Sequence, residues 1–225
     1  MRTTLVDEIA QGMNAAGIPP DFGPERSALL IRVLRTLACG RPISVDQVDK
    51  MAADIGLATE DAHQFLEGIC ERDDAGRIVG TMGLSLNGHW AHQFYVNGTA
   101  LRTWCAWDTL FLPALLKRTA SIVSFSPGSK KEVRVTVSPA QVEWTCPKTA
   151  VVSIVNLVTG DQDNSSQDTS SIEAIWSNFC HQVYFFPTAQ EAEEWAEDKE
   201  NISILSVEEA CELGKQAFSK LLSYA

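Results

Sequence analysis

The sequence predicts an α+β protein in two parts. Residues 1–87 form an N-terminal winged-helix-like helical unit, and residues 88–225 form a mixed α/β domain with mainly antiparallel strands and flanking helices. Three observations carry this. Residues 24–72 hold three short runs with apolar side chains at helical spacing, and a glycine-containing turn leads from them into an alternating strand. Residues 90–96 alternate apolar and polar and end on Asn97-Gly98, a strong signal for a two-residue hairpin turn. Beyond residue 120, β-branched runs are separated by turns or by helices with side-chain caps.

Each element has a local cause. Pro24 opens the first helix, where its missing N–H costs nothing. Leu29, Leu30, Val33, Leu34 and Leu37 form its apolar stripe, and Gly40 and Pro42 end it. Ser44 and Gln47 make a capping box for a second helix carrying Val48, Met51 and Ala52, closed by Gly56. A third helix follows Thr59 and runs to Arg72, with Ala62, Phe65, Leu66, Ile69 and Cys70 on one face. Asp73-Asp74-Ala75-Gly76 is a turn into a strand over 78–86. After the Asn97-Gly98 hairpin the chain returns through Leu101 and enters a helix over about 104–116, capped by Thr103. Strands follow at 121–125 and 132–137, joined by Ser126-Pro127-Gly128-Ser129. Residues 150–157 read as a buried strand, 159–171 as a long polar surface loop, and 180–186 as another strand. Thr188 caps a helix to Glu197, residues 202–205 form a short strand, and a Ser206–Glu209 capping box starts a final amphipathic helix through Leu222.

At 225 residues, with 45% hydrophobic and 21% charged residues, the composition is that of a soluble protein with a real core. The net charge is −11, from 29 acidic and 18 basic side chains. Such a surface repels phosphate backbones and anionic lipid, so neither nucleic acid nor membrane is an expected partner. A DNA-reading role for the third helix fails on the same ground, since Glu60, Asp61, Glu67 and Glu71 face Arg72 alone. No run approaches about 20 consecutive apolar residues, as a membrane span needs. Asp7 and Glu8 fall where a secretion signal would have its apolar stretch. A cytoplasmic location is expected.

Six cysteines, Cys39, Cys70, Cys105, Cys146, Cys180 and Cys211, are scattered with no Cys-x-x-Cys pair. A reducing compartment keeps them as thiols. Cys39, Cys70 and Cys211 sit on apolar helix faces and read as small core residues, while Cys146 lies in an irregular stretch before Pro147. Cys105 differs. It falls in the first turn of an expected helix, where free N–H groups and the helix dipole favour a thiolate. Asp108, three residues on, projects from the same face. Two adjacent negative charges cannot both form cheaply, so the carboxyl is expected to hold its proton towards neutral pH and to act as a proton carrier. The plainer alternative, a capping Asp108 with Cys105 packed inward, fits the spacing equally well. Cys180-His181 is no catalytic dyad, because neighbours on a strand point to opposite faces. The same argument separates His89 from His92. A metal site from Cys105, Cys180 and a third ligand remains open.

The segment Trp104-Cys105-Ala106-Trp107-Asp108-Thr109-Leu110, with Pro113-Ala114-Leu115, closely resembles a segment of the organomercurial (alkylmercury) lyase family. Val135-Thr136-Val137-Ser138-Pro139, Phe179-Cys180-His181-Gln182-Val183-Tyr184-Phe185-Phe186 and Gly40-Arg41-Pro42-Ile43-Ser44 resemble further family segments in the same order. The likeness covers residues 24–222. It implies Cys105, Asp108 and Cys180 as catalytic and mercury-binding residues in the protonolysis of carbon–mercury bonds. It implies no organic cofactor, with mercury as substrate and product. External small thiols, or mercuric reductase, would take mercury(II) from the site of a monomer or loose homodimer. Two positions depart from the family: Ser126 stands where several members have a structural cysteine, and His181 where a second cysteine commonly follows Cys180. Trp104, Trp107 and Phe179 are candidates to line an apolar pocket. A thiol-based mercury chaperone or sensor without lyase activity is the alternative function, and the proton donor Asp108 argues against it.

Overall fold

The computed structural model describes residues 4–156 and 172–225. The surface loop expected over 159–171 lies outside the described residues. The chain opens with α1 (Leu5–Ala15), an element not expected from the sequence, although Val6, Ile9 and Met13 have helical spacing. Thr4 and Asp7 form its capping box. Then come α2 (Pro24–Leu37), with Pro24 in its first turn, and α3 (Val45–Ala53), with the expected Ser44–Gln47 capping box. The next helix, α4 (Thr59–Glu67), is shorter than expected. Gly68 is its C-cap, and the chain extends at once into β1 (Cys70–Arg72). Cys70 and Glu71 therefore belong to a strand, not to a helix face, and both are buried.

The hairpin partner of β1 is β2 (Ile78–Thr81), reached through the Asp73–Gly76 turn. The strand expected over 78–86 is broken by Met82 and Gly83, both at positive φ (49° and 85°), and resumes as β3 (Leu84–Ser85). Strands β4 (His92–Val96) and β5 (Thr99–Thr103) flank Asn97-Gly98, whose φ values of 51° and 77° are those of the expected tight turn. After α5 (Asp108–Leu116) come β6 (Ala120–Phe125), β7 (Glu132–Val137), β8 (Val142–Cys146) and β9 (Val151–Val155). No strand was expected at β8, which has little apolar alternation and is largely exposed.

The C-terminal part holds α6 (Ile172–Asn178), a 3₁₀ turn at Cys180–Gln182 and β10 (Phe185–Phe186). It continues with α7 (Ala189–Ala196), β11 (Ile202–Ser206), α8 (Val207–Ala217) and α9 (Ser219–Leu222). The expected strand over 180–186 is thus confined to its last two residues. An apolar run of that length does not distinguish strand from turn by periodicity alone. The expected final helix is interrupted at Phe218.

All pairings between described strands are antiparallel. One sheet has eight strands in the order β1-β2-β3-β5-β4-β6-β7-β8, and a second has the order β10-β9-β11. The mixed α+β architecture with flanking helices matches the sequence reading. Strands from both sides of the expected boundary at residues 87 and 88 share the larger sheet. Helix α5 is buried on nearly every side, as its near-continuous apolar sequence requires. It packs against α8, where Gly214 leaves room for Phe111: a Cβ there would lie 2.8 Å from Phe111 Cβ. Of the three cysteines expected in the core, Cys70 and Cys211 are buried but Cys39 is exposed. Cys39 lies beyond the end of α2, where its thiol donates to the Arg35 carbonyl at 3.4 Å.

Candidate active site

Between β5 and α5 the chain bends through residues 104–107. Backbone bonds to remote segments shape the bend: Trp104 N–H donates to the Gly83 carbonyl at 2.9 Å, and Ala106 N–H to the Val183 carbonyl at 3.1 Å. Thr103 Oγ1 donates to the Cys105 carbonyl at 2.9 Å, and Thr109 Oγ1 to the Ala106 carbonyl at 2.6 Å. Helix α5 starts at Asp108, not at residue 104, so Cys105 precedes the helix and Thr103 does not cap it. Asp108 instead turns back, and its Oδ2 accepts Cys105 N–H at 2.8 Å. The capping and the acid–thiol readings of Asp108 are therefore compatible: one oxygen holds the bend while the carboxyl stays beside the thiol.

Cys180 arrives from the other side. The 3₁₀ turn that carries it is tied to β9 by Ser153, whose Oγ donates to the Gln182 carbonyl at 2.8 Å and accepts Tyr184 N–H at 3.0 Å. The sulfurs of Cys105 and Cys180 and a carboxylate oxygen of Asp108 lie within 4.8 Å of one another, and all three residues are buried. Among the described residues this is the one group of three or more His, Cys, Asp or Glu side chains close enough to share a metal ion. His181 is exposed, and its ring lies near Trp90 (centroids 6.3 Å apart). His89 packs at a tilt against Trp90 (centroids 4.7 Å apart), whereas His92 is buried and bonds Ser124 Oγ through Nδ1 at 2.7 Å.

Burial sets the electrostatics. Desolvation raises the Asp108 carboxyl to about 7, against hydrogen bonds from the Cys105 thiol and N–H that favour the carboxylate. Desolvation likewise pushes the Cys105 thiol well above its ordinary range, with the hydrogen bond to Cys180 and the Asp108 charge adding to it. Cys180 accepts that hydrogen bond, which favours its thiolate, but burial and the Asp108 charge leave it raised as well. The lowered Cys105 pKa expected from a helix terminus is thus corrected: the thiol is outside the helix and out of water. At rest the site holds thiols and a proton close to neutral balance on the carboxyl.

Above Asp108 and Cys180 opens a cavity of about 330 Å³. Trp104, Trp107, Phe111, Phe179 and Phe218 line it, as expected for Trp104, Trp107 and Phe179. Ile18, Pro20 and Phe22, from the connection between α1 and α2, line it as well.

A family model described as alkylmercury lyase matches residues 87–219. A curated alkylmercury lyase of Staphylococcus epidermidis is 40% identical over 185 residues, covering 81% of this chain and 78% of that protein. The chain belongs to the alkylmercury lyase family. Alkylmercury lyases of Streptomyces lividans (39% identical; 85% of this chain, 82% of the relative) and Pseudomonas putida (32%; 98% and 95%) extend the likeness over nearly the whole length. The solved structure described as the mercury-bound form of MerB2 shares the fold, with a TM-score of 0.72 at 21% identity over 96% of this chain and 98% of that one.

Three residues of this alkylmercury lyase family member border the site without having been singled out as functional from sequence. Gly83 packs its backbone against Asp108: a Cβ there would lie 2.6 Å from Asp108 Cβ and closer still to the carboxyl carbon. Tyr184 is half-buried, and burial, then the charges of the two thiols, raise its phenol. Glu71, counted from sequence among the acids of the third helix, is a buried carboxylate bonded to the Trp104 indole. Only Gly83 carried a local signal, as a glycine interrupting an alternating strand.

Proposed function

We propose that this enzyme is an organomercurial lyase that cleaves carbon–mercury bonds by protonolysis, releasing a hydrocarbon and mercury(II), with Cys105, Asp108 and Cys180 as its catalytic residues. The observation that carries the reading is the juxtaposition of two buried thiols and one buried carboxyl, within 4.8 Å of one another, with Asp108 and Cys180 lining an apolar cavity.

Mercury(II) is soft and prefers thiolate to oxygen or nitrogen donors. An organomercury cation exchanges its small-thiol ligand for one cysteine, and the displaced thiol leaves with the cysteine's proton. Asp108 takes the proton of the second cysteine, whose thiolate then adds to mercury. Two thiolates push electron density towards carbon, which becomes basic enough to accept the proton from Asp108. The carbon–mercury electron pair forms the new carbon–hydrogen bond, hydrocarbon leaves, and mercury(II) remains on Cys105 and Cys180 with Asp108 ionised again. Two small thiols then remove mercury and return both cysteines to the protonated state. A carboxyl titrating near 7 suits both proton transfers, since it neither holds nor releases its proton too strongly at neutral pH. The apolar cavity suits the organic group: a cavity of about 150 Å³ accommodates benzene in a protein interior, and this one is about 330 Å³.

Mercury is substrate and product in this scheme, and no organic cofactor is involved. The partners are organomercurials, small cellular thiols and mercuric reductase as an acceptor of product, with the chain acting as a monomer or loose homodimer in the cytoplasm as part of mercury detoxification. No described helix is long and apolar enough to cross a membrane. Residues 88–225 supply the catalytic groups. Residues 1–87 form a winged-helix-like unit, a reading supported by α2, α3 and α4 followed by the β1–β2 hairpin. Its acidic third helix gives it no DNA-binding role.

The test is hydrocarbon release, measured by gas chromatography, from phenylmercury or methylmercury with excess small thiol. Wild-type protein should release benzene or methane, and Asp108→Ala should bind mercury yet release none. Tight mercury binding by wild-type protein without hydrocarbon would instead indicate a chaperone or sensor.

A further inference from the structure

The least expected buried group outside the thiol site is the Glu71 carboxylate. It is 5% exposed, on β1, and no cation pairs with it among the described residues. Four neutral donors surround it instead. Oε1 accepts the indole N–H groups of Trp104 and of Trp90, the latter at 3.2 Å. Oε2 accepts Ser85 Oγ at 3.0 Å and Asn87 Nδ2 at 2.6 Å. Every partner donates, as an acceptor-only carboxylate requires. The space is cut to fit: a Cβ on Gly80 would lie 2.7 Å from Glu71 Oε1.

A carboxylate withdrawn from water without a countercharge is costly to keep, and the fold keeps this one against two indoles. Trp104 is both the residue before Cys105 and a wall of the cavity over Asp108 and Cys180. Trp90 and Trp176 pack against it, with ring centroids 6.3 and 5.6 Å away, and against each other at 5.1 Å. A hydrogen bond to a fixed carboxylate selects one orientation of each indole.

We propose that Glu71 is a positioning residue for the lyase reaction, holding the Trp104 ring as the wall against which the organic group of the substrate seats. This rests on the organomercurial lyase reading above. Glu71 touches neither mercury nor the reacting carbon, so its effect passes through Trp104 and belongs to substrate seating.

The test is a double-mutant cycle of Glu71→Gln and Trp104→Phe, followed as benzene release from phenylmercury and methane release from methylmercury. Gln keeps the size of the side chain but turns one acceptor into a donor facing other donors. Glu71→Gln should raise KM for phenylmercury roughly five- to tenfold with kcat within about twofold, and affect methylmercury less. Trp104→Phe should do the same, and the double variant should be no worse than Trp104→Phe alone. Additive losses, or a fall in kcat at unchanged KM, would overturn the proposal. Should Glu71→Gln not fold, Trp104→Phe decides: an unchanged KM for phenylmercury refutes the seating role. The two readings fail separately, because absence of hydrocarbon from wild-type protein sinks the lyase assignment, whereas wild-type turnover with a wild-type KM in Glu71→Gln sinks only the role of Glu71.

Discussion

At the scale of the residue, Asp108 shows how burial moves an ordinary carboxyl into the neutral range. Its pKa of about 7 arises because ionisation must occur out of water, with only the Cys105 N–H and thiol in compensation. The same shift has a cost in stability whose sign can be worked out. Below the ordinary value of 3.8, folded and unfolded chains both hold the proton. Between 3.8 and about 7 the unfolded chain is ionised while the folded one is not, so the unfolded chain binds fewer protons and stability falls as pH rises. Above about 7 the loss is complete. Chemical denaturation from pH 4 to 8 should therefore show wild-type protein losing on the order of a few kcal/mol relative to Asp108→Asn; parallel curves would refute the shift. The pairing of Cys105 with Asp108 was legible in the sequence because three residues bring two side chains together in this bend as they would in a helix. The bend itself was not, since the Gly83 and Val183 carbonyls that shape it come from distant segments. No spacing tied Cys180 to the pair; its thiol left a shared metal site open, and the family resemblance made the assignment. Cys39 was misread for a simpler reason: apolar periodicity carried past the end of α2 placed it on a buried face, and it is exposed. Cys39→Ala should accordingly leave both melting temperature and turnover unchanged, whereas Cys211→Ala should lower the melting temperature and leave turnover intact.

At the scale of the element, short turns decide where the chemistry sits. Met82-Gly83 reverses the chain between β2 and β3 and presents a backbone without a side chain to Asp108. Gly83→Ala would combine a left-handed φ of 85° with a clash on the carboxyl. Displacing that carboxyl by about 1 Å is worth about 100-fold in rate, so this variant should lose hydrocarbon release while its two thiols still bind mercury(II). Near-normal turnover would show that the carboxyl tolerates movement. The Ser126 loop makes the opposite case. Its buried hydroxyl donates to Glu191, which also accepts Ser129 N–H at 3.0 Å, so the loop between β6 and β7 is pinned to α7. Ser126→Ala should cost about 1–3 kcal/mol of stability, the penalty for a lost buried hydrogen bond, and leave the rate of hydrocarbon release unchanged. Strands with clear alternation, and α3, α7 and α8 with their side-chain caps, were readable because their causes are local, although the capped α1 was passed over. The 3₁₀ turn at Cys180 and the early end of α4 were not, and the second error hid Glu71 by leaving it on a helix surface.

At the scale of the molecule, the cavity is lined in part by residues 17–22, a segment for which the sequence predicted no element. Helix α1 packs against α8, and Lys220 pairs with Asp21, so the connection from Gly17 to Phe22, which lines the same cavity as Asp108 and Cys180, is held by contacts with the opposite end of the chain. A contact between the two ends leaves no trace in local periodicity, which is why this wall was invisible while Trp104, Trp107 and Phe179 were not. Its position makes it a limit on the size of the organic group. Ile18→Trp would fill part of the cavity that Asp108 and Cys180 also line. A bulkier wall excludes a ring before it excludes a methyl group, so kcat/KM for phenylmercury should fall roughly tenfold or more relative to that for methylmercury. A thermal melt separates this from overpacking, which would lower stability and slow both substrates together. Equal losses on the two substrates in a well-folded protein would mean that the organic group does not reach this wall and seats wholly against the aromatic side of the cavity.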